Sequence, residues 1–501
     1  MSVTEFRTVA PRPRRVPPSS PRPALPGLSR PAAAAAAVGT LLCAGIVAAA
    51  AFGDLERDGA VTLVVFVAAI WMWVFAPLPD TYIALGAALV LVVAGPIDTD
   101  TFTGTLGDSV IWLLVGAFII AAAVTASGLS ARVAARLLTL ARTPRQLVHL
   151  ITVALLVTAF AIPATSGRAA LALPVFLALA GVLRDRPRLV LALAVVFPSV
   201  ILFSAVGSLL GAGAHLIASE IVEAATGDGF GFLQWMMLGL PLAVIWSHLA
   251  AEMALAMFTD RAERGRRLSV PASAFATAGE QLTGPLSAPQ KRVLVVLAAV
   301  VTLWCSEPWH GIDPAVVAML GALVATAPRF GVTTLPAAAK TIPWTLLLFL
   351  AATLCLGIAV TTSGASVWLA ELVFGPVGSL GSASGVVFLV VVVVVSLLLH
   401  LMIQSRSARS AVLVPIIVAT APAVGVDPMA AAFISTAAAG YCHTLTSSAK
   451  PVAMFAAADG VPGYRPEHLL RYSAAIAPVS VALLLAFTLW IWPFLGLPLS
   501  S

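Results

Sequence analysis

The sequence predicts an all-α polytopic membrane protein: about 11 transmembrane helices plus two re-entrant helical hairpins, in two inverted-topology repeats. Three observations carry that expectation. The 501 residues are 60% hydrophobic and only 10% charged, with mean hydropathy +1.02, where a soluble domain is about a quarter charged. Apolar stretches follow one another along the whole chain, and two of them are interrupted at the middle by polar residues. A segment running from tryptophan to Ser-Gly occurs twice, about 235 residues apart.

Residues 1–31 carry Arg7, Arg12, Arg14, Arg15, Arg22 and Arg30 among many prolines. Such a composition builds no core and reads as a disordered basic cytoplasmic tail. The apolar run 32–52 is long enough to cross a bilayer and longer than the core of a signal peptide, so 32–59 reads as a retained first helix. Further spanning stretches lie near 60–78, 81–96, 109–128, 188–224, 235–258, 291–306, 313–328, 343–361, 429–457 and 472–496. The interrupted pair, 148–182 and 384–424, splits into arms of roughly fifteen residues. Arms that short favour hairpins that enter and leave on one side, because a full span needs about twenty residues.

Of the 28 basic residues only Lys291, Lys340 and Lys450 are lysines. That arginine bias, with abundant alanine, points to a GC-rich bacterial genome and so to a bacterial inner membrane. With the basic tail inside, alternation of the spans leaves the cytoplasmic loops with Arg132, Arg136, Arg142, Arg145, Arg184, Arg186 and Arg188. The cytoplasmic linker 259–290 adds Arg261, Arg264, Arg266 and Arg267; Lys291, Arg292, Arg329, Lys340, Arg465 and Arg471 follow on the same side. Arg57 alone remains outside, beside Asp54, Glu56 and Asp58. Positive charge so placed reads as topology, with a cytoplasmic N-terminus and an outer C-terminus, and not as nucleic-acid binding. Cys43, Cys305, Cys355 and Cys442 lie in or beside apolar segments without metal-ligand spacing and read as small buried hydrophobes.

The recurring segment is Ile111-Trp112 through Ser127-Gly128, then Pro343-Trp344 through Ser363-Gly364. Each copy precedes an interrupted stretch and then a span broken by small residues. The first repeat, 60–258 with its inward hairpin 148–182, and the second, 291–496 with its outward hairpin 384–424, have opposite orientations. An inverted repeat of this kind marks a secondary transporter whose site lies where the repeats meet.

The hairpin tips carry the chemistry. The first turns at Pro163-Ala164-Thr165-Ser166-Gly167-Arg168, the second at Gln404-Ser405-Arg406-Ser407-Ala408-Arg409. Pro174 and Pro415 each stand six residues beyond the last arginine. Hydroxyls at a helix start cap free N–H groups, and that end of the helix attracts anions. Thr165, Ser166, Arg168, Ser405, Arg406, Ser407 and Arg409 are therefore candidate substrate residues. The break Ser204–His215 offers Ser208, Gly211 and His215, and Ala164 joins them as a candidate cation ligand. The break Gly440–Pro451 offers Thr444 and Ser447 for a cation, and Thr446 and Lys450 for the substrate.

This order of repeat, hairpin and broken span resembles the divalent anion/sodium symporter family, nearest its 2-oxoglutarate/malate and citrate translocator branch. A Pro-Ser-Asn-Thr-Ala-Arg segment of that branch lies over Pro163 to Arg168. Its His and Ser-x-Thr-Ala lie over His400, Ser405, Ser407 and Ala408. The resemblance spans about 60–496 and implies an elevator-type carrier, a homodimer in the bilayer, for small anions such as malate, succinate, 2-oxoglutarate or citrate. Both tip asparagines of the family are absent here, and His215 stands where it has another. No cofactor is expected beyond sodium or a proton as coupling ion. A sulfate-like oxyanion permease or a sodium/proton antiporter are the alternatives within the superfamily. The sequence has no zinc-protease motif, P-loop or nucleophile elbow, and the longest cytosolic loop is too short for a nucleotide domain, so a membrane-embedded enzyme or an ATP-driven pump is not expected.

Overall fold

The computed structural model describes residues 30–271, 284–374, 384–456 and 463–500. The expected tail lies outside the described residues up to position 29, as does 272–283 of the linker. Every regular element among the described residues is helical. Hydrocarbon imposes that result, because a helix satisfies its backbone polar groups without water.

Helix α1 (Arg30–Phe52) precedes the repeats. The first repeat opens with α2 (Arg57–Phe75), α3 (Asp80–Ala94), α4 (Thr99–Gly104), α5 (Ser109–Ala126) and α6 (Leu129–Leu138). A hairpin of α7 (Pro144–Ala161) and α8 (Thr165–Val182) comes next. The broken span α9 (Pro187–Phe203) and α10 (Gly213–Thr226) follows, then α11 (Phe232–Phe258). After α12 (Arg261–Gly265), the second repeat runs α13 (Ala288–Cys305), α14 (Glu307–His310), α15 (Pro314–Thr326), α16 (Leu335–Ala339), α17 (Trp344–Thr362) and α18 (Ala365–Phe374). Its hairpin is α19 (Ser384–Leu398) and α20 (Arg406–Thr420). Its broken span is α21 (Pro428–Ala438) and α22 (Lys450–Ala456), followed by α23 (Pro466–Ala486) and α24 (Trp492–Phe494). Leaving α14 aside, the two element orders correspond one to one from α2 and α13 to α11 and α23.

Local sequence sets these boundaries. The first hairpin starts four residues earlier than expected because Thr143 caps α7, accepting from Gln146 N at 3.2 Å, with Pro144 in the first turn. Asp108, Asp313 and Asp427 cap α5, α15 and α21 in the same way. The recurring Ser-Gly is a corner: Gly128 (φ 68°) and Gly364 (φ 73°) adopt the left-handed conformation that turns a span into the short helices α6 and α18. Those two short helices, which separate each span from its hairpin, were not resolved in the sequence.

Eleven helices among the described residues are long and apolar enough to cross a membrane. The number agrees with expectation, but the membership differs: hairpin arms α7, α8 and α19 qualify, while α3, α15 and α21 are shorter. The 13 residues of α15 reach only about 20 Å against roughly 30 Å of hydrocarbon. Such short helices stand because longer ones support them. Helices α5 and α17 are apolar on all sides and mostly buried, and they pack across the repeats, α5 on α15 and α17 on α3. At the first crossing a Cβ on Gly116 would lie 2.7 Å from the Ala318 carbonyl carbon, so the contact requires small residues.

Each hairpin begins and ends at one place. Before α7, the Arg142 carbonyl accepts from Leu268 N at 2.9 Å. Beyond α8, Arg186 donates to the Arg267 carbonyl at 2.7 Å, and Arg188 pairs with Asp260 at 3.0 Å. Both ends of the first hairpin thus meet the segment 260–268. In the second, Gly385 at the start of α19 lies against Val424 and Val426, just past the end of α20. The return arms cross between repeats, α8 on α22 and α20 on α10.

Candidate anion site

The two tips differ in how they are built. Ser405 caps α20, accepting from Ala408 N at 3.2 Å, so its hydroxyl is already engaged. The position before α8 is Ala164, which has no cap to offer and holds φ 76°, ψ 131°. A non-glycine residue there stores on the order of 1–3 kcal/mol of strain. Ala164→Gly is therefore expected to raise the thermal midpoint of the purified protein while weakening anion binding, by freeing the turn that orients the next two hydroxyls. Equal stability of both proteins would show the turn to be unstrained. Ser166 and Ser407 are each the second residue of their arm, half-buried, and face open space.

The mirrored arginines point away from that space. Arg168 is 1% exposed and spends its donors inside the protein: on Thr158 Oγ1 (3.0 Å), the Leu155 carbonyl (2.6 Å), the Ile201 carbonyl (3.0 Å) and Ser204 Oγ (2.6 Å). It ties the hairpin arms together and caps the end of α9. Arg409 is fully buried and turns to the broken span of the second repeat, donating to the Tyr441 carbonyl at 3.4 Å and to Cys442 Sγ at 2.6 Å, with its Nε left without a partner. Of the candidate substrate arginines at the tips, Arg168 and Arg409 therefore do not line the space that Ser166 and Ser407 face. A guanidinium at this depth is tolerable only when polar groups engage it; Arg168 has every nitrogen engaged, and Arg409 both terminal nitrogens.

Arg406 differs. Its Nη2 lies 3.0 Å from His215 Nε2 and donates to the Thr436 carbonyl at 3.3 Å, while Nε and Nη1 are buried without a hydrogen-bond partner. His215 is fully buried, stacked on Trp235 with ring centroids 4.8 Å apart, and its Nδ1 meets the Ser208 carbonyl at 2.9 Å. A ring nitrogen facing a carbonyl must donate, so the other, Nε2, accepts from Arg406. The guanidinium thus bridges the start of α10 and the end of α21, where free carbonyls give a half-helix its negative pole. The candidate cation ligands Ser208, Gly211 and His215 are all behind the tips: an added Cβ on Gly211 would lie 2.1 Å from the Ala205 carbonyl oxygen. Thr444 is likewise committed, between His400 Nε2 and Ser473 Oγ at 2.8 Å each.

A cavity of about 1200 Å³ separates the tips from the α2–α3 corner and from α17. It brings together Ala164, Thr165, Ser166, Ser405, Arg406, Ser407, Ser447 and Lys450, and excludes Arg168, Arg409, Thr446, Thr444, Ser208, Gly211 and His215. Lys450, exposed at the start of α22, makes no ion pair among the described residues. Asp80 is the one carboxylate among the described lining residues, against two cations. The sequence reading missed Gly213, where an added Cβ would come within 3.2 Å of Ser407 Oγ, and Gln404. It also missed the facing wall, including Thr81, Thr125 and Phe349. Isolated threonines in apolar spans carry no signal, since most bond their own helix, as Thr125 does to the Ala121 carbonyl.

Paired hairpins converging on a net-positive cavity inside an apolar helical bundle define a membrane transporter. The chain belongs to the sodium:sulfate symporter family, whose transmembrane region matches residues 35–497, and so is a secondary transporter of anions, not an enzyme. It is similar in fold to the crystal structure of the YdaH transporter of Alcanivorax borkumensis, described as having an unusual topology. The TM-score is 0.53 at 16% identity, over 87% of this chain and 100% of that one. A protein of Cupriavidus necator described as a membrane protein is 23% identical over 396 residues, 77% of this chain and 74% of that one.

Proposed function

We propose that the chain carries small organic dianions, di- and tricarboxylates such as malate, succinate, 2-oxoglutarate or citrate, across the bacterial inner membrane by exchange, without sodium. One observation carries this most: Ser166 and Ser407, at mirrored helix starts, face a cavity whose cations, Arg406 and Lys450, outnumber its carboxylate. Helix N-termini and hydroxyls take the two ends of a dianion. Arg406 supplies, as a tethered group beside the half-helix end, the charge that a coupling cation would otherwise bring. A sodium/proton antiporter would need carboxylates where the tips carry hydroxyls.

The hairpins are re-entrant in this reading, with the arginine-rich loops and N-terminus cytoplasmic and the C-terminus outside. The cavity wall formed by 73–81 and 333–349 then belongs to the cytoplasmic half, so the carrier faces inward. Hairpins and broken spans move together past α5 and α17 as an elevator, in each protomer of a homodimer.

Proteoliposomes loaded with each anion and given labelled succinate, 2-oxoglutarate, citrate or sulfate, with and without sodium, test the proposal. Sodium-independent exchange of at least one organic anion is expected; uptake of sulfate alone would overturn it. Ser166→Ala and Ser407→Ala should each weaken the accepted anion about ten- to a hundredfold, the worth of a hydrogen bond to a charged group. Unchanged affinity in both would reduce these serines to helix-start residues.

A further inference from the structure

A second polar cluster lies outside the anion cavity, between the first arm of the inner hairpin and α11. His149 of α7 uses both ring nitrogens: Nε2 is 2.6 Å from Glu252 Oε1, and Nδ1 is 2.7 Å from Nδ1 of His248. Arg145 Nε donates to the same carboxylate oxygen at 2.5 Å. The two imidazoles sit 4.9 Å apart, centroid to centroid, and His149 and Glu252 are each about one-third exposed.

These distances restrict where protons can be. A carboxylate oxygen can only accept, so His149 Nε2 carries a hydrogen. Two ring nitrogens 2.7 Å apart can share one hydrogen but cannot each hold one. The cluster therefore has two intact forms. In one, both rings are neutral and His248 Nδ1 donates to His149. In the other, one further proton makes a shared imidazolium neutralised by Glu252. A second additional proton would set two N–H groups head to head and force the rings apart.

We propose that His149, His248 and Glu252, oriented by Arg145, form a proton-binding site that clamps the first arm of the inner hairpin to α11 and releases it on full protonation. Histidine is the side chain whose charge ordinarily changes between pH 5 and 8. Glu252 and His248 lie on opposite nitrogens of the His149 ring, so a single metal ion cannot gather all three; no group of three or more metal-holding side chains occurs among the described residues. Apart from the exposed Arg142 just before α7, the charges facing it from neighbouring elements are engaged as follows. Arg132 of α6 donates to Gln290 and the Pro285 carbonyl, and Arg136 to the Gly284 carbonyl. Arg188 of α9 pairs with Asp260, and on α12 Arg264 donates to the Asp260 carbonyl while Glu263 faces Arg186. Helix α7 runs from this clamp to the tip at Ile162–Ala164, so releasing its lower end loosens the arm that positions Thr165 and Ser166.

The test needs no transported anion. The full chain, with its seven histidines labelled with nitrogen-15, is placed in nanodiscs and followed by NMR from pH 8 to pH 5. A coupling between two Nδ1 nuclei across the shared hydrogen is expected at high pH, lost in His149→Gln and in His248→Gln. It should vanish on acidification, with both rings titrating as one unit. Two independent titrations, or no coupling at pH 8 in protein that remains folded, would overturn the proposal. Spin labels on α7 and α11 provide the second readout. Their distance should lengthen in acid in the native background and stay constant in His248→Gln, where one ring remains; equal lengthening in both would also overturn it.

Discussion

Arg168→Ala is expected to unfold the protein before it affects substrate affinity. The substitution removes a fully enclosed side chain and leaves a cavity, which alone costs about 2–5 kcal/mol for a large residue. It also orphans the Ile201 carbonyl at the end of α9, worth about 1–3 kcal/mol more. Against a typical stability of roughly 5–15 kcal/mol, such a loss should appear as a sharply lower thermal midpoint and poor recovery of folded protein. Arg168→Lys keeps the charge but not the fork of donors that reaches both hairpin arms and α9, so it too should be unstable. A normally folded Arg168→Ala protein that no longer binds the anion would return Arg168 to the substrate site.

Arg406→Gln should do the reverse. The residue has two guanidinium nitrogens without partners, so its removal strands little. Glutamine can still reach toward His215 or Thr436, and the fold should survive. What disappears is a positive charge beneath the tip. At roughly 6 Å and an effective dielectric near 20, a unit charge contributes about 2–3 kcal/mol toward each negative charge of a substrate, a hundredfold or more in affinity. Exchange in sodium-free buffer should collapse, and sodium should restore part of it, because the half-helix end that held the guanidinium is then open to a free cation. Lys450→Ala, at an exposed position on the same cavity, should weaken binding without creating a sodium requirement. Sodium-free exchange by Arg406→Gln at the native rate would refute the tethered-cation role.

Solvent and periodicity explain what was legible beforehand. Ten percent charge in a 501-residue chain leaves lipid as the only surrounding that fits, and hydrocarbon then dictates helices. Apolar run lengths gave the spans, polar interruptions the hairpins, and the offset between Trp112 and Trp344 the repeat, because each is local in sequence. The tips were legible too, since Thr165, Ser166, Ser405 and Ser407 interrupt apolar stretches, and all four line the cavity. Tertiary structure alone decided which way each side chain turns. Arg168, Arg406 and Arg409 look alike in sequence, one or two residues from a tip hydroxyl. Two of them reach carbonyls of a broken span more than thirty residues away, while the third stops between His215 and Thr436 on the cavity wall with two nitrogens unspent. The pair His149 and His248 had no signature either. It exists only because α7 lies against α11, and the register of two packed helices is fixed by the shapes of their neighbours, which no single stretch of sequence contains.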